Sequence, residues 1–501
     1  MSERRSLWWA ALLGVTAVGC FDGRDALGLP CEEDFQCGNG QVCSPQGVCA
    51  WPGDLEGTGG ATDSGSSVSG SSTTMNGPGT ETTSSTGDES ATEGSSDSSS
   101  GSSTGDPDPI PTCVEGAELM ARDITVTGSG NAMSVGVGAF SDDGANDVVV
   151  LTRSPARLSL FRLDGSFGLV DDFVTEPEPM DIAVADIDAD GFDDVVVVDA
   201  NQTAPDLVVY WGDASSPLTE TTAFDEALPI PHSVDAGQML AGPTLEILVS
   251  SGTDQSAADL FDVDGRVVNE RFSFPGVSAS PWDTVIVDLN GEGTDEALVV
   301  GSNDKGLDGF AGSDRVHVLG ASSAAGIFRL QELMAGVSPF GVDASDLDGD
   351  DIPEVVVVGK NIPVPAETVE KSDQPSEIGL CSRESFDDPL ECEVWQPSAA
   401  ATGFNNVRLA DLNCDDAVDA IIGTSGLPGK TDGNVLLAIG PLQPDFVPTP
   451  LVPGGVASVG NELAIADATG DGSLDVLVPI YGEEGSASGL VRVYSFEEPA
   501  R

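Results

Sequence analysis

Within the stretch VADIDADGFDDVVVVDA (residues 184–200), five aspartates crowd residues 186–194, and a run of four valines follows them directly. Two carboxylates about 5 Å apart repel each other by roughly 3 kcal/mol at an effective dielectric of 20, so a hairpin that gathers several of them needs a counter-charge. Oxygen atoms of carboxylates and carbonyl groups are the ligands that Ca²⁺ prefers in proteins. The stretch therefore predicts a loop that binds a hard cation at the start of a buried strand.

The same pattern recurs along the chain. Good copies begin at Asp186, Asp288, Asp346, Asp411 and Asp467, a weaker copy begins at Ala139, and an eroded copy begins at Gln238. Short apolar runs of period two flank the copies, which is typical of strands, and nothing has helical periodicity. The spacing of about 50 to 65 residues fits the blade of a β-propeller, whereas the repeats of a linear β-solenoid are shorter. We expect an all-β fold with a seven-bladed β-propeller over residues 113–501.

The repeat D-x-[DN]-x-[DE]-G-x-x-[DE], followed by an apolar strand, resembles the FG-GAP/VCBS repeat known from the propeller of integrin α subunits. The resemblance covers roughly residues 114–501. It implies a propeller whose acidic loops hold calcium. The flanking Phe-Gly and Gly-Ala-Pro elements are mostly absent, so the chain is similar to the bacterial branch of this family, and integrin-like partners are not implied.

Side-chain oxygens at loop positions 1, 3, 5 and 9 are expected to converge on a structural Ca²⁺, which gives about five sites. The predicted ligands are Asp186, Asp188, Asp190 and Asp194 in blade 2; Asp288, Asn290, Glu292 and Glu296 in blade 4; Asp346, Asp348, Asp350 and Glu354 in blade 5; Asp411, Asn413, Asp415 and Asp419 in blade 6; and Asp467, Thr469, Asp471 and Asp475 in blade 7. Mg²⁺ fits less well because it prefers octahedral sites with retained waters. Blades 1 and 3 have lost part of the set, so weak binding or none is expected there. For any single loop, a solvated acidic turn without an ion is the alternative.

Position 6 of the loop needs a residue that turns the chain through a positive φ, which glycine does at the lowest cost. Blades 2, 4 and 7 have glycine there, whereas blades 5 and 6 have Asp351 and Asp416. Aspartate tolerates a positive φ better than most residues, so both loops keep their predicted site.

The composition excludes several classes of partner. With 84 acidic residues against 19 basic ones, the formal net charge is -65, which repels nucleic acid and anionic membrane headgroups. His232 and His317 are the only histidines, which argues against soft transition-metal sites. Cations are the partners that this charge favours.

The N-terminus predicts export. Residues 1–19 have a basic start and the apolar stretch Leu7–Gly19, which fits a signal peptide and is too short to span a bilayer. The stretch ends in AVGC and resembles a bacterial lipobox, with Cys20 as the lipidated residue; ordinary cleavage without a lipid is the alternative. We expect a lipoprotein of the outer membrane or cell surface, with a secreted or periplasmic protein as the alternative.

Two further segments precede the propeller. Residues 20–51 form a small cysteine-rich module with four evenly spaced cysteines, Cys31, Cys37, Cys43 and Cys49. In an oxidising compartment these cysteines predict disulfides. Zinc is less well supported, because the cysteines do not have the usual spacing of a zinc site and no histidine is near. Their pairing stays open. Residues 52–112 are rich in Ser, Thr and Gly, contain no Lys or Arg, and predict a disordered linker. Within the propeller, Cys381 and Cys392 predict a local disulfide, whereas Cys113 and Cys414 are left without an assigned partner.

Two predictions concern the shape of the propeller. Blade 7 runs out of chain at its last strand, so residues 121–128 are predicted to supply its missing outer strand.

If the acidic loops join strands one and two, they lie on one face, and the long insertions at 302–314 and 360–395 leave from the other. Such insertions are where binding usually occurs, with Trp395 and Phe310 as candidate contacts. A variable loop without a role is the alternative.

The sequence leaves three functions open. The first is a membrane-tethered binding or adhesion module for an unknown protein or glycan on the face opposite the calcium loops. The second is an extracellular polysaccharide lyase or hydrolase, because propellers host both. The third is a purely structural envelope protein. Two histidines, three tyrosines and no nucleophile motif favour binding over catalysis, and no catalytic residue is predicted.

Overall fold

The computed structural model describes residues 42–43, 49–50 and 118–497, apart from gaps at 128–129, 143–144, 164–166, 202–204, 225–227, 229, 253–256, 278–279, 303–314, 324, 337, 360–375, 398–402, 425–433, 452–457 and 482–487. The chain divides into two compact units, Met1–Glu93 and Gly94–Arg501. In the first, β1 (Val42–Cys43) and β2 (Cys49–Ala50) form an antiparallel hairpin in which Cys43 lies opposite Cys49. The predicted signal peptide, Cys20, Cys31, Cys37 and the linker lie outside the described residues.

The second unit is a seven-bladed β-propeller, as predicted. Blades 1 to 6 are four-stranded antiparallel sheets, and blade 7 has a first strand split in two. The strands are β3 (Glu118–Thr127); β4 (Ala132–Gly138), β5 (Asp147–Arg153), β6 (Ala156–Arg162) and β7 (Leu169–Val174) in blade 1; β8 (Pro179–Ala185), β9 (Asp194–Asp199), β10 (Leu207–Trp211) and β11 (Glu220–Phe224) in blade 2; β12 (Pro231–Gly237), β13 (Glu246–Ser251), β14 (Ala257–Asp264) and β15 (Val267–Pro275) in blade 3; β16 (Ser280–Val287), β17 (Glu296–Ser302), β18 (Arg315–Ser322) and β19 (Gly326–Leu333) in blade 4; β20 (Pro339–Ser345), β21 (Glu354–Gly359), β22 (Glu377–Ser382) and β23 (Glu391–Trp395) in blade 5; β24 (Phe404–Ala410), β25 (Asp419–Thr424), β26 (Val435–Ala438) and β27 (Thr449–Pro450) in blade 6; and β28 (Ser458–Val459), β29 (Ala464–Ala466), β30 (Asp475–Tyr481) and β31 (Ser488–Glu497) in blade 7. No helix within the described ranges has the length and apolar character to cross a bilayer.

The second strand of each blade is buried on both of its faces, which explains its unbroken apolar run. In β9, Val195 and Val197 pack into the core between blades 1 and 2. Val196 and Val198 point the other way and pack into the core between blades 2 and 3. Alternating side chains of one strand thus serve two cores, so neither face can be polar.

The first strands line the centre of the ring, and aspartates link them from blade to blade. Four of these carboxylates each accept the backbone N–H of the next first strand: Asp181 from Val234 at 3.2 Å, Asp235 from Ile286 at 2.7 Å, Asp283 from Val342 at 3.0 Å, and Asp343 from Leu409 at 2.8 Å. Burial raises the pKa of Asp235 and of Asp283 to about 7. Arg408 supplies positive charge to this centre, 2.6 Å from Glu462 and 3.6 Å from Asp283. In the sequence these residues look only like members of alternating runs.

The structure describes three of the cysteines within the propeller. Cys381 and Cys392 lie opposite each other on β22 and β23 and form the predicted disulfide. Cys414 is also disulfide-bonded, whereas Cys113 lies outside the described residues.

The ring closes by joining the two ends of the propeller. β3, which precedes blade 1 in sequence, pairs with β31 of blade 7 along its whole length, from Glu118 opposite Glu497 to Thr127 opposite Ser488. The predicted closing strand is therefore confirmed, and it is longer than expected. Ile124 and Val126 fix its register because both are buried in the core between blades 7 and 1.

Truncating the closing strand should weaken the whole propeller. Ile124→Ala is expected to lower the free energy of unfolding by about 3 kcal/mol, because it leaves a cavity where the ring closes. Met120→Ala on the same strand is the matched control, since Met120 is 45% exposed. Guanidinium denaturation followed by circular dichroism measures both variants. Equal stability of the two variants would show that the strand does not hold the ring.

Candidate metal centres

The acidic loops join strand one to strand two, so all of them lie on one face of the ring. Position 9 of the loop is the first residue of strand two in every blade: Asp147, Asp194, Glu246, Glu296, Glu354, Asp419 and Asp475. In the five predicted sites, its carboxylate accepts the backbone N–H of position 2 at distances of 2.9, 3.0, 2.8, 3.1 and 2.8 Å. The carboxylate therefore closes the loop at the point where the core strand begins.

The carboxylate of position 1, the first loop residue in sequence, lies in the middle of the folded loop. It accepts the backbone N–H of position 6 at 3.0 Å in blades 2, 4 and 6, 2.8 Å in blade 5 and 2.9 Å in blade 7. Further N–H groups of positions 4 and 5 point at the same carboxylate, as those of Gly470 and Asp471 do at Asp467. The backbone thus folds around an anion, and this fixes one carboxylate in the same place in five blades.

Positive φ angles give the loops their shape. Position 6 has a φ of +93° at Gly191, +76° at Gly293 and +84° at Gly472. Asp351 at +65° and Asp416 at +64° adopt the same conformation, which confirms that aspartate can replace glycine there. Position 4 also has a positive φ in all five loops, at Ala189, Gly291, Gly349, Cys414 and Gly470. Three of these five residues are glycine, as at position 6, so the sequence carries a signal for this second requirement that the repeat pattern above does not include.

Two loops bring three carboxylates together. One oxygen each from Asp186, Asp188 and Asp194 in blade 2 lies within 4.8 Å of the others, and Asp346, Asp348 and Glu354 form the same group in blade 5. These are positions 1, 3 and 9, so position 5 lies outside both groups. It accepts instead the N–H of position 7, as Asp190 does from Phe192 and Asp350 from Ile352.

The other three loops differ at position 3. In blade 7, the Thr469 hydroxyl and Oδ1 of Asp475 are buried and have no hydrogen-bond partner among the described groups. Two orphaned oxygens at predicted ligand positions are what a cation would satisfy. In blade 4, the Asn290 amide donates to Glu296, and in blade 6 the Asn413 amide donates to Asp415. These two loops therefore gather fewer carboxylates.

Burial makes the charge of the loops costly. It raises the pKa of Asp194 to about 8, and the charges of Asp188 and Asp190 add to the effect. Burial likewise raises the pKa of Glu354 and of Asp475 to about 7. A divalent cation offsets this cost, and the oxygen-only donor set suits Ca²⁺. The residues present thus fit the predicted ion.

Asp193 is the one aspartate of residues 186–194 that is not a predicted metal ligand, and it bonds a neighbouring blade instead. Asp193 accepts the N–H of Ala139 at 2.7 Å, and Asp295 accepts that of Gln238 at 2.6 Å. Ala139 and Gln238 hold position 1 in blades 1 and 3, the two blades that lack an aspartate there. The preceding Gly138 and Gly237 allow this approach, because a Cβ at either would lie 2.9 Å from the carboxylate oxygen. Each degenerate loop is thus tied to the loop of the following blade.

Comparison with known proteins agrees with this geometry. Residues 140–197 match the family model described as FG-GAP-like repeat. This stretch of the chain is similar to an FG-GAP-like repeat. The match runs from the blade 1 loop to β9 and includes the acidic loop of blade 2. No curated protein matches the chain.

Solved structures with a similar chain include two enzymes. The crystal structures of rhamnogalacturonan lyase YesW and of the exotype rhamnogalacturonan lyase YesX match at 14% and 12% identity, each with a TM-score of 0.42. Each match covers 78% of this chain and 75% of the other. At this level of similarity the activity of these lyases does not transfer.

Placing glycine at position 6 should stabilise blade 5. Asp351→Gly removes a left-handed non-glycine residue, which costs about 1 kcal/mol, so the free energy of unfolding should rise by up to that amount. Asp387→Gly, an exposed aspartate without a positive φ, is the control and should be neutral or destabilising. Chemical denaturation in chelator compares the two without any contribution from bound metal. A loss of stability in Asp351→Gly would contradict the assigned strain.

The metal-free protein should lose stability as the pH rises from about 4 to about 8. A carboxyl whose pKa is raised by folding stabilises the protein below its unfolded value near 4, and this contribution is lost as the pH rises through the folded value. The folded values concerned are about 8 for Asp194 and about 7 for Asp475. Melting temperatures measured in chelator test this, and saturating Ca²⁺ should shrink the difference. Higher stability at the upper pH without metal would refute it.

Proposed function

We propose that this protein is a calcium-stabilised β-propeller that is exported, is tethered by a lipid on Cys20, and acts as a binding or adhesion module. Its ligand is a protein or a glycan bound on the face opposite the calcium loops. The calcium ions are structural in this proposal. The linker of residues 52–112 serves as a spacer between the anchor and the propeller.

The repeated loop geometry is the observation that carries the structural role of calcium. Five loops place a carboxylate within a nest of N–H groups and a second, buried carboxylate at the root of a core strand. Every blade joins its neighbours through these core strands. An ion in a loop would therefore hold the start of a second strand in place, which is a structural task.

The two histidines and the central aspartates have structural contacts within the propeller. His317 is 3% exposed, and burial lowers its pKa to about 4. His232 is also buried and packs edge-on against Trp282 at 5.0 Å. The aspartates at the centre of the ring are occupied with the N–H groups of neighbouring blades. These described histidines and central aspartates are therefore committed to packing and to hydrogen bonds within the ring.

The face opposite the calcium loops is the proposed binding surface. The insertion at 302–314 connects β17 to β18. The predicted insertion at 360–395 was too long, because its later part forms β22 and β23, and only the part before Glu377 connects β21 to β22. Both connections leave the sheet at that face. Of the two candidate contacts, Trp395 packs within the fold: its indole donates to the Phe446 carbonyl at 2.9 Å, and the two rings meet at 5.1 Å. Phe310 lies outside the described residues.

A glycan array and a panel of cell-surface extracts, probed with the calcium-loaded protein, test the proposed ligand class. A bound ligand should be lost when residues 303–314 are replaced by a short Gly-Ser turn. The same replacement of residues 213–216, a turn on the calcium face, is the control and should leave binding intact. If the replacement of residues 213–216 abolishes binding and that of residues 303–314 does not, the binding site lies on the calcium face. Depolymerisation of a polysaccharide by the wild-type protein would favour the alternative, an extracellular lyase or hydrolase.

A further inference from the structure

We infer that Arg266 and a bound divalent cation are alternative counter-charges for the acidic loop of blade 2, so that Arg266 sets the metal affinity of that one site. The inference rests on the proposed calcium sites and adds to them a residue that distinguishes one loop from the rest. Arg266 belongs to the turn between β14 and β15 of blade 3 and reaches back to the loop of the preceding blade.

The Arg266 guanidinium takes up carboxylates that the metal site also uses. Its Nε lies 2.9 Å from Oδ2 of Asp188, and one Nη lies 2.9 Å from Oδ2 of Asp190. Asp188 is loop position 3 and one of the three carboxylates that converge in this blade. The second Nη lies 2.7 Å from Glu220. A single side chain thus spreads its positive charge over two of the four predicted ligands.

The surrounding residues hold Arg266 in this pose. Its guanidinium carbon lies 5.5 Å from the centre of the Trp211 ring. The Trp211 indole donates to the Thr222 hydroxyl at 3.0 Å, and that hydroxyl donates to the Arg266 carbonyl at 2.8 Å. The guanidinium also donates to the Gly212 carbonyl at 3.1 Å. Such a chain of contacts orders the arginine before any ion arrives, so it is built into the site.

The other loops have no equivalent in the part of the chain that the structure describes. Arg383 comes from the matching turn of blade 5 and reaches the blade 4 loop, but it donates to the Leu289 carbonyl and not to a carboxylate. No described Lys or Arg forms an ion pair with a predicted ligand of blades 4 to 7. Arg383 acts on Glu296 through its charge and without an ion pair, so among the described loops blade 2 is the one in which an arginine pairs directly with predicted ligands.

Two consequences follow from placing both cations on one loop. A divalent ion held by Asp186, Asp188 and Asp194 lies close to the guanidinium and is repelled by it, so blade 2 binds metal more weakly than its four aspartates suggest. By linkage, the ion weakens the contribution of Arg266 to stability to the same extent. The arginine then matters most when metal is absent.

Terbium luminescence reads out this site separately. Tb³⁺ substitutes for Ca²⁺, and a nearby tryptophan sensitises its emission. Trp211 lies beside the blade 2 loop, because the N–H of the adjacent Gly212 is 2.8 Å from Oδ1 of Asp194. The expected result is that Arg266→Gln tightens the tryptophan-sensitised Tb³⁺ binding by about tenfold. Trp211→Phe should abolish that signal and so assign it to blade 2. Arg157→Gln, which removes the same charge from an ion pair with Asp172 in blade 1, is the matched control and should change nothing.

Thermal melting supplies a second readout that does not depend on luminescence. Arg266→Gln should melt below the wild type in chelator and should regain the difference in saturating Ca²⁺, whereas Arg157→Gln should show the same shift in both. Metal binding that is unchanged by Arg266→Gln would overturn the inference while leaving the calcium sites standing. If no variant binds metal at any loop, the proposed function itself fails.

Discussion

A buried carboxylate at the first residue of each second strand is the constraint on which the propeller depends. The second strand is the most deeply packed element of every blade, because its side chains fill the cores on both sides. A charged group at its root is costly to bury, as the pKa of about 8 for Asp194 indicates. The loop before the strand provides a hydrogen bond to that carboxylate. The N–H of loop position 2 bonds this carboxylate, whereas the further carboxylates of the loop raise the cost of its charge.

The seven blades meet this constraint in different ways. Blades 5 and 7 offer oxygen atoms to an ion, three converging carboxylates in one and two orphaned oxygens in the other. Blade 2 adds an arginine from its neighbour. Blades 1 and 3 have lost the aspartate at position 1 and are tied to the next loop through Asp193 and Asp295. Loss of the position 1 aspartate in one blade is thus accompanied by a hydrogen bond to a side chain of the following blade.

The sequence predicts the repeated parts of this structure well, because each repeat is local. The seven blades, the root position of the second strand, the closing strand and the Cys381–Cys392 disulfide all follow from patterns that can be read along the chain. The links between blades could not be found in this way. Asp188 and Arg266 are 78 residues apart, and the carboxylates of Asp181 and Asp283 look like ordinary members of alternating runs. These contacts form only in the closed ring, where the first strands of neighbouring blades lie side by side. The positive φ at position 4 is different, because three of the five loops have glycine there and only Ala189 and Cys414 hide the pattern.

The metal content of the purified protein, measured together with its melting temperature before and after chelation, tests the calcium loops most directly. Elemental analysis after dialysis against Ca²⁺ should find about three to five ions per chain, and chelation should lower the melting temperature by about 10 °C or more. Re-addition of Ca²⁺ should restore it, whereas Mg²⁺ at the same concentration should do so only in part. A protein that holds no metal and melts at the same temperature in chelator and in Ca²⁺ would contradict the structural role proposed for every acidic loop.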